Sequence, residues 1–190
     1  LELLDSSPYK DIPQREGETN PKKIAAMVEK EGKEIQVDIP EIGTVSFKVD
    51  QKILRLSGYS QKGFAQVVRE AIEEAIKIRG PNAFEGLDAT QPIKIALLDK
   101  STHPSTSWSE YNLIGLNKII FEKIEDAALR NALLKVSITH ELRHLAGEKD
   151  EAALTDEDVE SLTPKERESL FSILQPYVKE DSLLMKNLPI

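Results

Sequence analysis

The stretch from Thr139 to Glu151 reads THELRHLAGEKDE and contains two of the three histidines in the 190-residue chain. His140 and His144 are four residues apart. If the stretch is helical, that spacing places both imidazoles on one face, one turn apart, where they can bind one metal ion from the same side. Glu141 lies beside that face and is displaced from the histidine pair. Its carboxylate can therefore reach a water on the metal without binding the metal itself.

The residues on either side of the histidine pair favour a helix. Residues 127–138, AALRNALLKVSI, have the apolar spacing of an amphipathic helix that leads into the motif. Gly147 follows the motif, at a point where helices commonly end in a positive φ angle. The sequence therefore predicts a helix from about Ala127 to about Gly147, with the histidines near its C-terminus. The alternative interpretation is a surface helix with two solvated histidines.

The pattern H-E-x-x-H is typical of zinc metallopeptidases, in which the two histidines bind zinc and the glutamate acts as general base. A catalytic zinc commonly takes three protein ligands and leaves one position for water. In this chain Gly147 and Asp150 extend the pattern to H-E-x-x-H-x-x-G-x-x-D. The longer motif resembles that of the metzincin clan of zincin peptidases, and its Asp ending is similar to the snapalysin type. The resemblance covers about a dozen residues.

The resemblance implies a role for each residue of the motif. It implies that one Zn²⁺ ion per chain is bound by His140, His144 and Asp150, with Glu141 as general base and Gly147 as the turn. It also implies an α+β, zincin-like fold, in which a mixed twisted sheet carries a supporting helix and an active-site helix. A small, mostly helical C-terminal subdomain would follow.

The sequence leaves the third metal ligand open. Glu151 adjoins Asp150, Glu148 lies in the same loop, and both offer the same kind of oxygen ligand. In the gluzincin branch of the zincins the third ligand is a later Glu, and Glu160 or Glu166 could take that place with altered spacing. The resemblance also implies a methionine turn beneath the metal, for which Met185 is the only candidate after the motif. The alternative for this residue is a methionine packed on the core.

Composition narrows the classes of function. The chain is 39% hydrophobic and 31% charged, which is typical of a globular protein. Its formal net charge of −8 disfavours nucleic-acid binding, which relies on Lys and Arg near phosphates. No apolar stretch reaches the roughly 18 residues that a membrane span needs. The absence of Cys excludes disulfides and thiol ligands. It leaves the compartment open, with a secreted or extracytoplasmic location slightly favoured, and the oligomeric state is also open.

Apolar periodicity predicts the elements around the motif. The predicted elements are a helix over 21–33, a hairpin over 35–39 and 45–49, a strand at 54–58, a helix over 60–79, a buried strand over 92–98, a strand over 111–121 and a helix over 164–176. Three strands thus precede the long helix over 60–79, and two follow it. The strand over 111–121 is either the rim of a cleft, where an extended peptide could pair with its edge, or an ordinary inner strand.

The predicted organisation has three parts. Residues 1–20 form an extended lead-in or a candidate pro-segment, 21–147 an N-terminal zincin subdomain, and 148–190 a small C-terminal subdomain. The expected function is that of a zinc-dependent endopeptidase acting on peptide or protein substrates. One alternative is a zincin-like binding or structural module without peptidase activity. The other is a latent enzyme blocked by its own N-terminal segment.

Overall fold

The computed structural model describes residues 20–99, 103–150, 159–178 and 183–188. The strands are β1 (Lys33–Ile39), β2 (Gly43–Val49), β3 (Ile93–Leu98), β4 (Ser105–Trp108) and β5 (Leu113–Asn117). The helices are α1 (Pro21–Glu31), α2 (Gln51–Ser57), α3 (Gln61–Arg79), α4 (Ile119–Glu122), α5 (Ala127–Leu145), α6 (Pro164–Leu174) and α7 (Leu183–Asn187). Apart from Asn20, the predicted lead-in or pro-segment lies outside the described residues.

The five strands form one mixed sheet in the order β1-β2-β3-β5-β4. β1 and β2 form the predicted antiparallel hairpin. β3 pairs in parallel with β2 and with β5, and β4 pairs antiparallel with β5. The expectation of an α+β protein with a mixed sheet is therefore confirmed. Within the described ranges β4 has a strand on one side only, so it forms an edge of the sheet.

One face of the sheet is covered by two long helices, α3 and α5. Helix α3 begins where Ser60 caps it, with its Oγ accepting from the backbone N–H of Gly63 at 3.0 Å. It packs on β1 and against α5. The core between these helices and the sheet includes Phe47, Phe64 and Ile95, each with no exposed surface. The predicted helix over 60–79 is thus confirmed, and it supports the helix that carries the motif.

The opposite face of the sheet is covered by α1. Ile24 and Val28 of this helix belong to a second buried cluster with Leu98 and Leu113. Every residue of β5 is therefore buried, because both faces of that strand are covered. Gly115 in β5 allows close packing, since a Cβ at this position would lie 2.5 Å from Cδ1 of Leu98.

The strand predicted at 54–58 is wrong, because that segment is part of helix α2. The Asp50 side chain caps this helix by accepting from the backbone N–H of Lys52 at 3.0 Å. Gly58 ends the helix in the left-handed region, with φ 74°. Leu56 is 45% exposed, so its spacing from Leu54 was not a sign of strand alternation. The cap at Asp50 and the Gly at the C-terminus were the signals that favoured a helix.

The single strand predicted over 111–121 is also wrong in extent. A 3₁₀ turn ends at Tyr111, and Asn112 adopts a left-handed conformation with φ 52° before β5 begins. Asn117 ends β5, because its side chain accepts from the backbone N–H of Ile119 at 3.1 Å and the chain enters α4. The short edge strand β4 was not predicted. Within the described ranges, two strands, not three, therefore precede α3, and three strands, not two, lie between α3 and α5.

The described residues after the motif include two helices. The predicted capping box is present at the start of α6, where Thr163 and Glu166 each bond to the other's backbone N–H. The helix ends at Leu174, slightly before the predicted end. Leu170 and Leu174 join the same hydrophobic core as the sheet. The division into subdomains stays a prediction. None of the helices in the described ranges is both long enough and apolar enough to cross a membrane.

Candidate metal centre

Helix α5 positions the two motif histidines near its C-terminal end. The Asp126 side chain caps its start by accepting from the backbone N–H of Leu129 at 3.1 Å. Nine of the ten residues from Leu133 to Leu142 are buried, so this helix crosses the interior of the protein. The polar side chains of His140 and Glu141 are therefore buried as well, with 9% and 3% of their surface exposed. The interpretation of the motif as a solvated surface helix does not fit this burial.

The two histidines face each other across a short gap. The Nε2 atom of His144 lies 3.2 Å from the Nε2 atom of His140, and the two ring planes are 77° apart. Two nitrogen ligands of one tetrahedral zinc, each bound at about 2.0–2.1 Å, would be about 3.3 Å apart. The spacing of the pair therefore fits two ligands of a single ion.

A main-chain carbonyl fixes the orientation of the second histidine. The carbonyl oxygen of Glu148 lies 2.8 Å from Nδ1 of His144. Because a carbonyl oxygen can only accept, Nδ1 carries the proton, and the neutral ring has its lone pair on Nε2. Metal-binding histidines commonly make this kind of contact. Gly147 makes the contact possible, because its φ of 110° turns the chain back towards the helix. The predicted turn at this residue is confirmed.

The Glu141 carboxylate is held by the edge strand of the sheet. The Ser105 hydroxyl donates to Oε2 of Glu141 at 2.6 Å, and Ser107 lies near enough to lower the pKa of the same carboxyl. Burial raises the pKa of the Glu141 carboxyl above its ordinary value. The neighbouring histidine pair and the two serines oppose this rise without cancelling it.

Sequence reasoning missed both serines because they lie in a polar segment between the strands predicted over 92–98 and 111–121. Ser105 lies opposite Leu116, and Ser107 lies opposite Ile114, in the antiparallel pairing of β4 with β5. Side chains of directly paired residues share a face, so both serines point to the face that α5 covers. The available signal was that Thr106 and Trp108, which are residue types common in strands, alternate with the two serines. The signal is weak, because the segment lacks the regular apolar positions by which a half-buried strand is normally detected.

Among the described residues, one group of potential ligands is close enough to bind a metal ion. It consists of His140, Glu141 and His144, whose ligand atoms all lie within 4.8 Å of one another. Asp150 is exposed and is not part of this group. Its backbone N–H donates to Oε1 of Glu148 at 3.0 Å, which fixes the turn after the helix. Its role as third ligand stays a prediction.

The remaining candidates for the third ligand are Glu151, Glu160 and Glu166, and the candidate for the methionine turn is Met185. Glu151 lies outside the described residues. Glu160 is exposed, and Glu166 accepts from the backbone N–H of Thr163 at 2.9 Å as part of the capping box on α6. Met185 lies in α7 and is 2% exposed within the main hydrophobic core. A position of Met185 beneath the metal stays a prediction.

Two further contacts hold the helix α5 in place. Lys135 on α5 lies 3.3 Å from Glu70 and 3.3 Å from Glu74, both on α3. At the other end of α5, a loop approaches so closely that a Cβ on Gly86 would lie 2.5 Å from the carbonyl oxygen of Ala146. Gly86 also has a φ of 97°. Glycine is therefore favoured at this position both by the close approach and by the backbone conformation. The last turn of α5, which carries His144, is thereby packed against a neighbouring segment.

The fold and this centre define an α+β protein with a His-Glu-His group that could hold a metal ion. Comparison with protein-family models, with curated proteins and with solved structures found no match. What the centre can do chemically follows from its donor atoms and their surroundings. Two neutral imidazoles and a nearby carboxylate suit zinc, although other divalent metals also accept such ligands.

Proposed function

We propose that the protein is a zinc-dependent endopeptidase. The observation that supports this most directly is the separation of 3.2 Å between the Nε2 atoms of His140 and His144, with the Glu141 carboxylate in the same compact group. A closed structural zinc site commonly has four protein ligands, whereas a catalytic site leaves a position for water. A buried carboxylate beside two histidines is the arrangement expected of a hydrolytic site.

Each residue of the site has a distinct role in the proposed reaction. His140 and His144 would hold the zinc, and Asp150 is proposed to complete the ligand set. Bound there, zinc would supply a more acidic water and a Lewis acid for a peptide carbonyl. Glu141 takes a proton from the attacking water and then delivers it to the leaving nitrogen. Burial beside the histidine pair places the Glu141 carboxylate within reach of such a water.

The edge of the sheet suggests how a substrate would be held. Strand β4 bonds to β5 on one side, and within the described ranges no strand covers its other side. An extended peptide can pair with such an edge through main-chain hydrogen bonds. Because Ser105 on this strand contacts Glu141, a peptide bound along β4 would pass close to the proposed base. This supports a polypeptide as the substrate rather than a small ester or amide.

Zinc content and cleavage of a peptide library, measured on the purified full chain, test the proposal. We expect about one zinc per chain, lost in His144→Ala and retained in Glu141→Gln. We expect cleavage by the unchanged chain and none by Glu141→Gln. Zinc without cleavage would favour a binding module. Cleavage that begins only when residues 1–20 are removed would favour a latent enzyme. A chain that binds no zinc after reconstitution would contradict the proposal.

A further inference from the structure

The position of Glu141 presents a chemical problem. Its carboxylate lies within 4.8 Å of both histidine ligand atoms, so it is close enough to bind a metal ion directly. A carboxylate and a divalent cation attract each other strongly in a buried site, where water does not screen them. If Glu141 bound the metal, it would fill a coordination position and would no longer act as a base. Some feature of the protein must hold it away from the metal.

Two hydroxyl groups from β4 can supply that restraint. Ser105 donates to Oε2 of Glu141 at 2.6 Å, and Ser107 lies on the same face of the strand, beside the same carboxylate. The two serines are two residues apart on a strand, so both reach the face covered by α5 while Thr106 points to the other face. Hydroxyl groups are neutral donors. They can orient a carboxylate without neutralising it, as a Lys or Arg would.

The strand that carries the serines is itself fixed in position. Asn117, which is fully buried, donates through its side chain to the carbonyl of His103 at 3.0 Å. Its backbone N–H donates to the carbonyl of Pro104 at 2.9 Å. These bonds hold the chain just before Ser105, and the ladder with β5 holds the rest of the strand. The two hydroxyls are therefore presented from a rigid element, as the restraint of a nearby carboxylate requires.

We propose that Ser105 and Ser107 are positioning residues, which hold the Glu141 carboxylate off the metal and in the orientation of a base. The inference rests on the proposed function, since it takes the histidine pair to bind a metal and Glu141 to act as base. Neither serine hydroxyl is proposed as a ligand of the metal. Their contribution is to the position of Glu141.

Peptide cleavage separates this role from a general structural one. We expect Ser105→Ala to lower kcat about tenfold and the double Ser105→Ala, Ser107→Ala variant to lower it about a hundredfold, with KM nearly unchanged. Ser105→Thr keeps the hydroxyl and should retain most of the activity. Thr44→Ala removes a hydroxyl that donates to the Asp38 carboxylate at 2.6 Å in the β1–β2 hairpin, at the far edge of the sheet from β4, so it should behave like the unchanged chain. Equal losses in Thr44→Ala and Ser105→Ala would overturn the inference.

Cobalt(II) provides a test that does not depend on activity. The visible absorption of cobalt changes when a carboxylate replaces a water ligand or adds to the ligand set, so binding by Glu141 would be seen directly. We expect the double serine variant to show this change, and the same double variant carrying Glu141→Gln to show none. An unchanged cobalt spectrum in the double serine variant would overturn the inference. If the unchanged chain binds cobalt but cleaves no peptide, the proposed function fails while the cobalt comparison still decides the role of the serines.

Discussion

The two long helices, α3 and α5, have 19 residues each and pack against each other, yet they differ in how they are buried. Helix α3 buries one stripe of apolar residues and exposes the rest. Helix α5 is buried on nearly every side from Leu133 to Leu142, and its buried residues include a histidine and a glutamate. Buried ionisable groups carry a cost in stability. In the proposed enzyme α3 would serve the fold, whereas α5 would accept that cost for a chemical role.

The largest expected difference between the helices concerns activity. Glu141→Gln on α5 should lower peptide cleavage by about 10²–10⁴-fold, because it removes the proposed general base but keeps the shape of the side chain. The matched control is Glu73→Gln on α3, which removes an exposed carboxylate that bonds Arg69. The two variants are compared by their rates of peptide cleavage at equal zinc content. Comparable rates for the two variants would show that the buried carboxylate has no special role.

The next largest effect is on stability, and it is expected from a substitution on α3 rather than on α5. Phe64→Ala on α3 should lower the free energy of unfolding by about 3–5 kcal/mol, because Phe64 is fully buried and packs edge-on against Tyr59. Urea denaturation measures this loss. The zinc affinity of the folded fraction should stay near that of the unchanged chain. A large fall in affinity at full folding would mean that α3 contributes to the site directly.

A smaller effect comes from the glycines that end the two helices. Gly80 after α3 and Gly147 after α5 have φ angles of 97° and 110°, and an added Cβ would meet no atom within 4 Å at either. Gly80→Ala and Gly147→Ala should therefore each cost about 1–3 kcal/mol in backbone strain. Only Gly147→Ala should also weaken zinc binding, by about tenfold, because it displaces the Glu148 carbonyl from His144. Zinc titration with a competing chelator separates the two. Equal zinc affinities in both variants would contradict the role given to that carbonyl.

The smallest effect concerns the ion pairs between the helices. Lys135 is only partly exposed, but its partners Glu70 and Glu74 are 43% and 54% exposed, so water screens the pairs. Lys135→Met should cost roughly 0.2–1 kcal/mol, and the difference from the unchanged chain should shrink in high salt. Thermal melts at two salt concentrations measure it. A loss that persists in high salt would point to packing of the Lys135 stem rather than to charge.

The parts of the fold that could be predicted from sequence are those with strong local signals. The alternation in β1 and β2, the cap at Ser60 and the apolar stripe of α3 each reflect a physical constraint within a few residues. Helix α5 could be located from its apolar residues and from Gly147. Its burial on nearly all sides could not, because that depends on the sheet and on the residues that pack around it.

The elements that were not predicted have sequence signals that are weak or that conflict with one another. The spacing of Leu54 and Leu56 fits a strand, but the cap at Asp50 and the turn at Gly58 favour the helix that the structure contains. Strand β4 is polar and partly exposed, so only its pairing with β5 reveals it. The histidine pair of the candidate site could be found because it lies within one turn of a helix. The two serines could not, because they come from a distant part of the chain.

The bond between Ser105 and Glu141 joins positions 36 residues apart, whereas the two histidines are neighbours on one helical turn. A chain whose sheet has not yet formed could therefore bind metal weakly through its histidines, but it would lack the oriented carboxylate. In the proposed enzyme, the capacity to cut peptide bonds would arise only when the sheet edge has docked on α5. The order of assembly would then protect newly made chains from digesting one another before they fold.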